Sequence, residues 1–163
     1  MAQLPAGYGG QGFSLRGEKD RFVLPPAFRK VFADLGDEKT LCLVKHEKFP
    51  CLTGFGPSRT REFDDILDKE EEHALRRGHD FDRDQRAMQL WGYDEVAFDQ
   101  SGRFTLRDHV ASLGGLSDEI YFQGGGKFIF LWAPECLYAM GPGFDGAKAT
   151  CRALQEEARA KRK

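Results

Sequence analysis

The feature that most constrains this chain is an internal echo. The stretch "DRFVLPPAFR" at residues 20–29 returns from residue 102 as "GRFTLRDHVA". Arg21, Phe22 and Leu24 are answered by Arg103, Phe104 and Leu106 at the same offsets. Further on, "KFPCL" at 48–52 is answered by "KFIFL" at 127–131, three residues out of step with the first match. Each copy then reaches a proline, Pro57 and Pro134. Blocks that recur in the same order and spacing predict a duplicated supersecondary unit. At 163 residues the chain is one ordinary domain or two very small ones.

Each copy reads as strand, short helix, strand, turn, strand. "RFVL" and "RFTL" are β-type and follow the polar turns "RGEKD" and "DQSG". Pro25-Pro26 opens a helix through Val31-Phe32 that stops near Gly36. In the second copy Asp108 is expected to cap a helix that ends at Gly114-Gly115. "TLCLVKH" with "FPCLTGF", and "EIYFQ" with "KFIFLW", read as hairpins, the second turning through "GGGK".

Residues 58–91 switch to helical period. Phe63, Ile66, Leu67, Ala74 and Leu75 fall on one face, and Gly78 stops the run. Asp82 with Gln85 starts a second helix through Met88 and Trp91, ended by Gly92. Pro134 to Gly141 forms a short helix, and residues 146–162 a charged, Ala-rich C-terminal one. Trp91 and Trp132 are expected in the core, to which 14 phenylalanines must contribute heavily.

Enzyme motifs fail on inspection. "QGGGKF" departs from a phosphate loop because Phe128 follows the lysine and Tyr121 stands where the first glycine belongs. Asp108-His109 has no accompanying nucleophile in a supporting motif. The acids of "DKEEEH" at 68–73 fan over a helix and read as a solvated face. Cys42, Cys51, Cys136 and Cys151 form no CxxC pair, so buried free thiols are expected, with no metal and no cofactor. The longest strongly apolar run, "FIFLWA", is too short to span a bilayer, and the expected compartment is the cytoplasm.

A net charge of −2 argues mildly against nucleic acid, but the charge is unevenly spread. Residues 16–30 carry Arg16, Lys19, Arg21, Arg29 and Lys30 against Glu18 and Asp20. The C-terminal segment is also basic. Arg21 and Arg103 each begin an apolar strand after a tight turn. Asp99 is placed to bridge to Arg103, and an arginine oriented in that way suits phosphate or a guanine edge.

At these residues the sequence resembles the MraZ family of regulators of the bacterial division and cell wall gene cluster. The second motif, "DQSGR" from Asp99 to Arg103, is an intact Asp-x-x-x-Arg; the first, "GEKDR", keeps Arg21 but has Gly17 in place of the aspartate. "RFVLPPAFR", "CLTGF", "MQLWGYDEVAFD" and "GLSDEIYFQGGGKFIFLWAPE" agree in order from about Gly12 to Tyr138. The resemblance implies an α+β fold of two AbrB-like swapped-hairpin units forming a double-split β-barrel, with helices between and after the repeats. The expected parts are 12–57, a connector at 58–92, 93–141, and a tail at 142–163. It implies a non-enzymatic repressor, nucleoid-associated, that binds short direct repeats in its own promoter as a homo-oligomeric ring. Its partner would be double-stranded DNA, with no membrane and no small-molecule substrate. Arg21 and Arg103 would contact DNA, Lys19 and Arg16 would assist, and Asp99 would position Arg103. The alternative is a ring-forming interaction protein of the same fold that does not read DNA.

Overall fold

The structure, a computed structural model, describes residues 7–162. The first half runs β1 (Gln11–Leu15), β2 (Arg21–Val23), α1 (Pro26–Asp34), β3 (Thr40–Lys45) and β4 (Leu52–Phe55). Two helices follow, α2 (Phe63–Arg76) and α3 (Arg83–Trp91). The second half repeats the order: β5 (Asp94–Ala97), β6 (Arg103–Thr105), α4 (Asp108–Leu113), β7 (Glu119–Gly124) and β8 (Ile129–Trp132). The chain closes with α5 (Pro134–Tyr138) and α6 (Asp145–Arg162). This is an α+β fold.

One six-stranded sheet has the order β1-β7-β8-β4-β3-β5, and β2 pairs with β6 in a separate ribbon. Every pairing is antiparallel. Exchanging β1 with β5, β3 with β7 and β4 with β8 leaves the sheet order unchanged. Each edge strand is donated across the halves: β1 lies on β7, and β5 on β3. The expected barrel does not close by hydrogen bonds among the described residues, because β1 and β5 end the sheet and the ribbon stands apart.

The two short helices stop in the same way. Asp37 N–H donates to Phe32 O at 2.9 Å around Gly36, and Leu116 N–H donates to Ala111 O at 2.9 Å around Gly115. Both glycines have positive φ, 71° and 63°, the left-handed turn that closes a Schellman motif. Asp108 does not cap α4. Arg107 occupies the cap position and makes no side-chain cap bond, so Asp108 is the first helical residue. Asp82 does cap α3, accepting from Gln85 N–H at 3.0 Å.

The larger core cluster joins the sheet, the ribbon, α1, α2, α3 and α4. Eight of the 14 phenylalanines are buried, among them Phe22 and Phe104, whose rings lie 6.1 Å apart beneath the ribbon. Burying each such ring contributes about 1.5–3 kcal/mol, which pins so short a ribbon to the body. A smaller cluster under α5 and α6 gathers Tyr121, Trp132, Leu137, Cys51 and Cys151. Strand β7 is thus buried on both faces.

Several apolar helix positions lie outside these clusters, Trp91 among them against expectation. Leu75 and Met88 are 68% and 76% exposed, and Trp91 is only partly covered by the edge of Phe63. The packed stripe of α2 is narrower than the sequence period implied, because only Phe63 and Leu67 are buried along it. The acid run is also less free than expected. Asp68 and Glu71 pair with Arg83, and Glu70 pairs with Arg86, tying α2 to α3. No helix among the described residues is long and apolar enough to cross a membrane. All four cysteines are free thiols, and no group of described residues has the make-up of a metal site.

Candidate nucleic-acid interface

The ribbon decides where the two motif arginines go. Phe22 lies opposite Phe104, Arg21 opposite Thr105, and Val23 opposite Arg103. Successive strand residues alternate faces, so burying the two phenylalanines turns Arg21 and Arg103 outward on one common face. They are diagonal neighbours, a spacing of about 7–8 Å in antiparallel pairs. Both line one shallow concavity together with Glu95, Asp99 and Arg107.

The turns that carry them share two backbone hydrogen bonds. Asp99 N–H donates to Arg103 O at 3.0 Å and Gly102 N–H donates to Asp99 O at 2.9 Å. Likewise Gly17 N–H donates to Arg21 O at 2.8 Å and Asp20 N–H donates to Gly17 O at 3.2 Å. The side chains differ. Asp99 Oδ1 accepts from the N–H groups of Ser101 and Arg103, both at 2.9 Å, while its Oδ2 accepts from Arg103 Nε at 2.7 Å. The carboxyl is held below its usual range, first by the Arg103 N–H and then by the Arg103 side chain and Ser101, with desolvation opposing. In the first turn Gly17 supplies no carboxylate, and Arg21 Nε reaches only Glu18 O at 3.4 Å.

Backbone strain is distributed in the opposite sense. Gly102 takes the left-handed position of the second turn at φ 85°. A Cβ there would come within 2.7 Å of both Arg29 Nε and Leu24 O. The first turn places Lys19 and Asp20 at φ 57° and 58°, a conformation that costs side chains about 1–2 kcal/mol per residue.

Arg29, in the sequence merely one charge in a basic stretch, has a positioning role. Its Nε donates to Leu24 O at 2.9 Å and its Nη1 to Gln100 O at 3.1 Å, so α1 of the first half braces the turn of the second. Arg16 is largely engaged with the body. Its guanidinium donates to Ser117 O, lies 3.6 Å from an Asp118 carboxylate oxygen, and stacks 5.7 Å from the Phe22 centroid. Lys19 is exposed in the first turn and takes a left-handed backbone conformation.

The chain is 30% identical over 148 residues to the transcriptional regulator MraZ of Parvibaculum lavamentivorans, covering 85% of this chain and 88% of that protein. The chain belongs to the MraZ family. The MraZ regulator of Chlorobium phaeobacteroides is 30% identical over 126 residues, 76% of this chain and 81% of that one. For the MraZ regulator of Rhizobium johnstonii the figures are 27% over 124 residues, 74% and 79%. No family model matches the chain.

Proposed function

We propose that this MraZ-family chain is a DNA-binding transcriptional regulator, a repressor of the division and cell wall gene cluster that binds short direct repeats in its own promoter. It acts in the cytoplasm at the nucleoid, with neither catalysis nor cofactor. The observation that carries the reading is the common outward face of Arg21 and Arg103 on the β2–β6 ribbon. Neighbouring arginines on one outward ribbon face suit phosphate contact and base-edge reading. Arg103, fixed by Asp99, reads; Arg21 contributes charge, with exposed Lys19 assisting at phosphate and Arg16 held back by its contacts with Ser117 and Phe22.

The exchange pattern of the sheet supports two interlocked AbrB-like swapped-hairpin units, 12–57 and 93–141, joined by the 58–92 connector and followed by the 142–163 tail. In a homo-oligomeric ring, several ribbons engage one DNA segment together, raising effective affinity by roughly 10²–10⁴ over a single contact. The expected result is retardation of a duplex from upstream of its own gene, with affinity falling steeply as salt rises. Unchanged affinity in an Arg21→Ala, Arg103→Ala double variant defeats the site assignment.

The alternative, a ring-forming interaction protein, draws on one observation: among the described residues no carboxylate orients Arg21. Gel filtration separates the two, because only the regulator co-elutes with duplex DNA.

A further inference from the structure

We propose that Arg107 is a third DNA-contact arginine, reserved for phosphate, on the face that carries Arg21 and Arg103; this rests on the DNA-binding reading above. After β6 the chain stays extended through Arg107, at φ −69° and ψ 148°. Leu106 is buried, so the alternation continues and Arg103, Thr105 and Arg107 all point outward. Arg21 lies opposite Thr105. Its two diagonal neighbours on the partner segment are therefore Arg103 on one side and Arg107 on the other. All three line the same concavity.

The charges around these arginines leave room for an anion. Arg103 is matched by Asp99. Arg107 is 69% exposed and touches Asp94 at only 3.5 Å, a carboxylate it shares with His109 Nε2 at 3.4 Å. Glu95 lines the concavity, and among the described residues the Arg21 side chain donates only to a backbone carbonyl. Asp99 is committed to Arg103 and Asp94 holds Arg107 only loosely, so a phosphate can add contacts to Arg21 and Arg107 without breaking a strong pair. The looseness of the Arg107 contact separates its role from that of Arg103. A guanidinium clamped in plane suits a base edge, whereas an exposed, weakly held one suits phosphates whose positions vary. Arg16, anchored on Ser117 O and Phe22, lacks that freedom.

The test is an anisotropy titration of the full chain against a duplex from its own upstream region and a scrambled duplex, over a potassium chloride series. Arg107→Ala should weaken binding to both duplexes by about three- to tenfold and lower the slope of log K against log salt by about one. Arg107→Lys should restore the slope, and both variants should melt with the parent protein, since the side chain packs against nothing in the core. Arg103→Ala should instead narrow the gap between the two duplexes. If the parent chain binds and Arg107→Ala keeps its affinity and slope, the Arg107 assignment falls alone. If the parent chain binds neither duplex, the DNA-binding reading falls and takes this assignment with it.

Discussion

The turns at Gly17–Arg21 and Asp99–Arg103 close on the same pair of backbone hydrogen bonds but reach it differently, with Lys19 and Asp20 both left-handed in the first and Gly102 alone in the second. The second spends a carboxylate on order, with three hydrogen bonds converging on Asp99, and relieves its left-handed position with glycine. The first has glycine where the carboxylate belongs and an aspartate where the glycine belongs. The turn fold therefore does not require the leading aspartate, because its paired backbone hydrogen bonds form without one. What the aspartate adds is a fixed guanidinium. One half of the molecule presents an aimed arginine and the other a freer one.

The largest expected difference between the halves is in DNA affinity. Arg103→Ala should cost about 1.4–2.7 kcal/mol, roughly 10–100-fold, while Arg21→Ala costs less than about tenfold, both read by gel retardation. Equal losses would break the comparison. Next in size is stability. Gly102→Ala should destabilise the fold by about 1–3 kcal/mol in urea melts, because its Cβ meets Leu24 O and Arg29. Gly17→Ala should be close to neutral, since a Cβ there meets nothing nearer than Arg21 O at 3.6 Å and φ is −109°.

Gly17→Asp sharpens the contrast by repair. The site accepts the side chain without strain, and a carboxylate there should fix Arg21 and raise affinity about two- to fivefold. A fixed Arg21, seen as a protected Hε in NMR, with no gain in binding would show that orientation is not what the first motif contributes. The smallest effect is in acid. The Asp99 carboxyl lies below its ordinary 3.8, so its hold on the turn is complete above that value and fades as pH falls through the lowered one. The Arg103 Hε resonance should shift over that window while that of Arg21 does not, and Asp99→Asn should abolish the shift.

Most of the local structure is legible in the sequence. Pro25-Pro26, Gly36 and Gly114-Gly115 bound α1 and α4, and the duplicated Arg-Phe-x-Leu marks β2 and β6. Strands β1 and β5 left no comparable mark. They are short, and their inward residues are Ser14 in one and Val96 in the other, so no alternation stands out. Phe13 instead packs in the cluster beneath α6, which made its apolar character unreadable as a sheet face. Their partners lie in the other half of the chain, and no local pattern encodes that distance. Of the site, Arg21, Arg103 and the Asp99 bridge could be read from motif and turn. Arg107 is legible in principle as the next odd position of "RFTLR", but the Asp108 that follows it has the form of a helix cap and masks the strand's continuation. The brace from Arg29 depends on α1 meeting a turn 71 residues away, which only tertiary structure reveals.

The cross-donated edges carry a consequence for biosynthesis. Strand β1 finds its mate only when residues 119–124 exist, and β3 lacks one neighbour until β5 is made. While the ribosome works, the leading portion waits with unmatched amide ladders, and neither half can mature as an independent module. Duplication here has produced a single clasp, which shuts only once β7 and β8 have been made.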